Sequence, residues 1–137
     1  MNRNLKVDVK LEEFIKEIKK AEMEMQCGKP EAYINLWADS NDITAVGASG
    51  NIMVGEEVTQ GPKRVAQFSC GSRKSVYSQE RMKVFGDLAY LVWLYEGETL
   101  SVGSENYAKT KMAVTHVLYR CQNGWRVFHR HNTMIKN

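Results

Sequence analysis

The chain has 137 residues, 43% of them hydrophobic and 26% charged, with 19 Lys and Arg against 16 Asp and Glu for a formal charge of +3. That size predicts one domain over 1–137 with enough core to need no disulfides. The balance excludes a disordered or fibrous chain, no apolar run reaches the roughly 20 residues of a membrane span, and no basic block of the kind that grips nucleic acid is present. Met1–Lys20 is charged every few residues and lacks a secretory apolar segment. Cys27, Cys70 and Cys121 are far apart and lack CxxC spacing, which reads as three reduced, partly buried thiols in a cytoplasmic protein.

Helix signals fill the first quarter. Leu11, Phe14, Ile15, Ile18, Ala21 and Met25 make one helical stripe, Asp8 is placed to cap it, and Gly28 fits its end. Pro30 fits the first turn of a short second helix carrying Tyr33, Leu36 and Trp37. Ile43–Val46 and Asn51–Val54 read as a small hairpin around Gly47–Gly50, and Gly61-Pro62 opens a third helix ending near Gly71. No Lys follows the glycines at phosphate-loop spacing.

The second half is strand. Val76–Phe85 and Leu88–Glu96 flank Gly86-Asp87, while Tyr107–Cys121 and Trp125–His131 flank Gln122-Asn123-Gly124. Three helices around a hairpin followed by four long strands predict an α+β fold, with helices on one face of a curved antiparallel sheet.

Strand parity then gathers the polar residues. A two-residue turn at Asn123-Gly124 sets His116 opposite His131, Leu118 opposite His129 and Arg120 opposite Val127. All three histidines then share one face with Arg120, unless a one-residue bulge intervenes. Around Gly86-Asp87 the same logic puts Ala89, Leu91, Trp93 and Tyr95 on a face with Glu80 and Ser78. Leu88, Tyr90, Val92 and Leu94 make the opposite face equally apolar, which predicts a cover on both sides: helices on one, a second subunit on the other.

Glu31-Ala32-Tyr33, Gly86-Asp87-Leu88-Ala89, Val114-Thr115-His116-Val117, Gly124-Trp125-Arg126-Val127 and the ending His129-Arg130-His131-Asn132 resemble the SnoaL-like group of the ketosteroid-isomerase/nuclear-transport-factor-two superfamily. The C-terminal third is also similar to the association domain of calcium/calmodulin-dependent protein kinase. The resemblance implies a cystatin-like cone, in which a curved sheet wraps the N-terminal helix and leaves a pocket at the open end, commonly in a dimer. It implies pocket positions at Tyr33, Tyr95 and His116. The kinase association domain carries arginines where Tyr95, His116 and Asn132 stand here, which leaves Arg120 as the obvious cation of the expected face. Ketosteroid isomerases carry a base aspartate near Ile43–Val46, and this chain has none there.

Three readings of the histidines stay open. In the first, His116 and His131 move a proton in a ligand pocket, with Glu80 orienting a ring and Tyr33, Trp37, Trp93, Tyr95, Arg120 and His129 lining the walls. In the second, His129-x-His131 and His116 form a three-histidine zinc plan. In the third, they are hydrogen-bonded core residues. The expected function is binding of a small, partly apolar molecule without a cofactor, by a cytoplasmic homodimer paired through Val92, Leu94, Val117, Tyr119 and Phe128, with isomerase, cyclase or dehydratase chemistry. The alternative is a non-enzymatic association module.

Overall fold

A computed structural model describes residues 8–136, so the part of the N-terminal reading that falls on residues 1–7 lies outside the described residues. Helix α1 spans Val9–Gln26, with Asp8 as its N-cap accepting from the Leu11 N–H at 3.0 Å. Its stripe Leu11, Phe14, Ile15, Ile18 and Ala21 is buried as the periodicity requires. The stripe then changes character, because Glu22 and Gln26 occupy the next two turns and are buried as well.

Helix α2 is the short turn Glu31–Ile34, and β1 (Thr44–Val46) and β2 (Ile52–Val54) form the small hairpin. Helix α3 covers Glu56–Phe68, five residues earlier than Gly61-Pro62 suggests. Pro62 sits inside it with its ring buried, while Glu56 and Glu57 occupy the electropositive first turn and Val58 anchors it. Strands β3 (Ser69–Phe85), β4 (Leu88–Ser101), β5 (Ala108–Cys121) and β6 (Gly124–Met134) follow. The six strands order β2-β1-β6-β5-β4-β3, and the small hairpin joins the sheet through a parallel pairing of β1 with β6. The α+β class and the sheet curved around the N-terminal helix are as expected from the sequence.

Register decides which side chains face α1. At the β5–β6 turn Cys121 pairs with Gly124, so Gln122-Asn123 makes the turn instead of Asn123-Gly124. That shift of two keeps parity, and Leu118 faces Val127 on the inner side, both almost fully buried. A bulge follows, in which Phe128 is the extra residue, and His116 pairs with Arg130 while Val117 pairs with His129 and Thr115 with His131. The expected pairing of His116 with His131 is therefore corrected: one added residue turns His129 and His131 away from the helix side and turns Arg130 in.

Strand β3 does the same. From Phe85↔Leu88 to Arg81↔Val92 the register is regular, then it slips before Ser78↔Leu94 and Tyr77↔Tyr95. Gln79 at the slip has a left-handed backbone, φ 54°. Tyr77, in place of the expected Ser78, thereby joins Trp93 and Tyr95 on the inner face. Two of the three cysteines, Cys27 and Cys70, are exposed rather than partly buried.

Candidate functional site

At the open end of the sheet, between α1, α2, α3 and the β1–β6 seam, lies a cavity of about 400 Å³. Its walls are apolar, with Met25, Met53, Val58, Pro62, Val65 and Met112 prominent. Its polar groups are Glu22 and Gln26 from α1, Tyr33 from α2, Arg130 and Asn132 from β6, and the hydroxyls of Ser69, Thr99 and Thr110 from β3, β4 and β5. Concave apolar walls with a few converging polar groups are the common plan of a small-molecule site.

The polar cluster is built around Glu22. Its Oε2 accepts from Arg130 Nη2 at 3.3 Å, and its Oε1 accepts from the Tyr77 hydroxyl at 2.9 Å. His116 Nε2 lies 4.0 Å from Oε2. Arg130 gives a second N–H to Asn132 Oδ1 at 3.1 Å and stands over the Tyr33 ring at 5.8 Å. Gln26 Oε1 accepts from Ser72 at 2.6 Å and from Tyr95 at 3.2 Å. The Tyr95 hydroxyl reaches back over Gly97, where any side chain would collide with it.

Burial sets the electrostatics. It pushes the Glu22 carboxyl above its ordinary range, against the pull of Arg130 and of the Tyr77 hydrogen bond. It raises the Tyr33 and Tyr77 hydroxyls too. His116 is held well below its ordinary value by burial and by the nearby Arg130 charge, so its ring is neutral at physiological pH. Arg130 keeps its proton, since Tyr33 and Glu22 outweigh its own burial. Among the described residues, five buried side-chain atoms have no hydrogen-bond partner: Arg130 Nε, Trp37 Nε1, Trp93 Nε1 and both ring nitrogens of His116. Buried donors seldom go unpaired, and two of these residues, Arg130 and Trp37, border the cavity.

The expected site residues fall into separate places. Tyr33 and Trp37 border the cavity. Trp93, Tyr95 and His116 are buried behind its floor, with the Trp93 ring edge-on to His116 at 5.1 Å. His129 and His131 sit on the other side of the sheet, where His129 Nδ1 bonds Thr44 Oγ1 at 2.7 Å and His131 is exposed. Burial and the neighbouring His131 lower the His129 pKa. Glu80 is paired with Lys19 at 2.8 Å on the surface and orients no histidine. Arg120 is at the opposite end, 3.1 Å from Asp8 and over the Trp125 ring. The three-histidine constellation is thus taken apart by the β6 bulge, and among the described residues no three metal-ligating side chains converge.

Parity reasoning missed Glu22, Gln26, Tyr77 and Arg130. Two of these left a signal, since an acid and an amide that continue an apolar stripe by one and two turns are placed for burial. Tyr77 and Arg130 left none, because their orientation depends on bulges.

No protein-family model matches the chain, and no curated protein is similar to it in sequence. Solved structures are similar in three dimensions. One is a protein proposed to be a dehydratase of the NTF2-like family from Streptomyces avermitilis, 18% identical, with a TM-score of 0.75 over 91% of this chain and 96% of that one. Another is proposed to be a scytalone dehydratase from Novosphingobium aromaticivorans, 10% identical, TM-score 0.78, covering 93% and 85%. A third is proposed to be a Ca/calmodulin-dependent kinase II association domain from Exiguobacterium sibiricum, 16% identical, TM-score 0.72, covering 94% and 93%. The fold is therefore the NTF2-like one, in agreement with the resemblance read from the sequence.

Proposed function

Starting from the NTF2-like fold, we propose that the chain binds a small, partly apolar molecule in its cone and turns it over by acid–base chemistry, with Glu22 moving the proton. The observation that carries this is the cavity itself: about 400 Å³, apolar walls, and a buried carboxylate paired with a half-buried guanidinium at the floor. A carboxyl raised by burial is poised nearer neutrality than an exposed one, which suits a general acid or base. His116 takes a supporting part, as a neutral ring packed behind Glu22. His131, exposed on the far side of the sheet, takes none.

The test uses beta-tetralone, an apolar ketone with exchangeable hydrogens next to its carbonyl. Proton NMR in deuterium oxide is expected to show exchange accelerated by the wild type and not by Glu22→Gln. Binding alone is read as a rise in melting temperature that disappears in Met53→Trp, which fills the cavity. Exchange at the uncatalysed rate with wild-type protein rejects turnover, and the absence of any melting shift rejects the site.

A second reading rests on a different surface. Phe85, Tyr90 and Tyr119 are exposed on the outer side of the sheet, with the Phe128 ring packed at a tilt against Tyr119, centroids 5.3 Å apart. A second copy of the chain pairing there gives an association module, with or without chemistry in the cone. Sedimentation of Tyr119→Glu decides it: a dimer that becomes a monomer supports this face, and an unchanged mass removes it.

A further inference from the structure

The Arg130 fork is only partly used. Of its five N–H groups, one meets Glu22 and one meets Asn132, and the Glu22 contact at 3.3 Å is long for a charge-assisted bond. Its Nε is buried without a partner, and Trp37 Nε1, another donor without a partner, belongs to the same cavity wall. Among the described residues, Arg130 is also the one cationic side chain bordering the cavity. A guanidinium with donors to spare, at the bottom of an apolar chamber, matches a planar acceptor carried on an apolar body.

Such a ligand meets a conflict. Glu22 already lies against Arg130, and two carboxylates sharing one cation in a buried site cannot both stay ionised. The groups facing Glu22 are Lys19 on its own helix, Tyr77 from β3, His116 from β5 and Arg130 from β6, with Tyr33 of α2 and Tyr95 of β4 next to these partners. None of these adds a second cation at the floor: Lys19 is paired with Glu80 and held off by the Tyr77 and Trp93 rings it stands over, and His116 is neutral. The residues of α3 that border the cavity, Val58, Gly61, Pro62 and Val65, cannot titrate.

We propose that the ligand is a monocarboxylate on an apolar body, held by the Nη N–H groups of Arg130 that Glu22 and Asn132 leave unused, and that Glu22 takes up one proton as it binds. This rests on the cavity being the binding site. The balance is simple: ligand anion and one solvent proton enter together, the proton resides on Glu22 Oε2, and the charge of the site is unchanged. Binding thereby converts Glu22 from a base in the free cavity to an acid facing the bound molecule.

The probe pair is cinnamate and its neutral amide, cinnamamide, measured by calorimetry at pH 8 in phosphate and in Tris. For cinnamate the apparent enthalpy is expected to vary with buffer by the equivalent of about one proton taken up, and Kd to rise roughly tenfold per pH unit above pH 8. Cinnamamide is expected to show neither effect. In Glu22→Gln, cinnamate binding is expected to persist, at least as tight as in the wild type, with the buffer and pH dependence gone. The wild-type buffer comparison needs no variant, so a misfolded Glu22→Gln cannot obscure the answer. Cinnamate binding without proton uptake, or uptake that survives Glu22→Gln in folded protein, overturns the proposal. Cinnamamide binding with no cinnamate binding overturns it while the cavity reading stands; binding of neither probe, with no exchange of beta-tetralone, removes both.

Discussion

The two ends of the cone are built from the same elements by different rules. At the α1 N-terminal end, Leu11, Phe14, Ile15 and Ile18 meet Leu91, Leu118, Trp125 and Val127, all apolar and buried, over strands in regular register. At the α1 C-terminal end, Glu22 and Gln26 replace the stripe and meet Tyr77, His116 and Arg130, beyond one bulge in β3 and one in β6. The closed end stabilises through burial alone. The open end holds an ion pair between the buried Glu22 and the half-buried Arg130, which contributes little net stability but specifies where charge stands. Bulges near functional sites re-aim side chains, and here the two of them exchange Ser78 for Tyr77 and His131 for Arg130 on the helix side.

Mutations at each end should separate these rules. Leu118→Ala at the closed end, fully buried, is expected to cost about 4 kcal/mol in urea unfolding. Arg130→Met at the open end is expected to cost about 3 kcal/mol at pH 8, because it leaves the Glu22 charge buried and unpaired. That loss should shrink in acid, since protonation removes the stranded charge. An Arg130→Met variant as stable as the wild type at pH 8 would show that Glu22 is not buried beside it.

The two titrating groups of the open end have opposite pH signatures. His116 is depressed in the folded state, so its contribution is present above pH 6.5, the ordinary histidine value, and is lost as pH falls toward the folded value. His116→Phe, which keeps an aromatic ring against Trp93, should therefore blunt the loss of melting temperature below about pH 6.5. Glu22 is raised, so its contribution is full below the ordinary glutamate value and fades as pH rises through its folded value. Melting of Glu22→Gln relative to wild type should accordingly improve as pH rises from about pH 4 to about pH 8. A difference independent of pH contradicts the burial of the carboxylate. Asp8→Ala, back at the closed end, is the mildest change, about 1 kcal/mol through lost capping of α1 and lost bonds to Trp125 and Arg120.

The same contrast explains what could be read from the sequence. The α1 stripe, the Gly86-Asp87 turn and the inner face Ala89, Leu91, Trp93 and Tyr95 follow from periodicity, and the structure has them. The closed end is legible even though the β5–β6 turn falls one residue early, because that error preserves parity. The open end is not, because parity fails after a single inserted residue and nothing local marks Phe128 as that residue. Tyr33 and Trp37 border the cavity, and the segment is pinned to β6 at Val127, before the bulge that re-aims the rest of that strand.

The central claim is that the β6 bulge sets Arg130, rather than His131, against Glu22. A double-mutant cycle of Glu22→Gln and Arg130→Met, measured by urea unfolding at pH 8, tests it most directly. The account predicts a coupling of about 2 kcal/mol, with the double variant recovering much of what Arg130→Met loses. Strictly additive effects would contradict it and return His131 to the inner face.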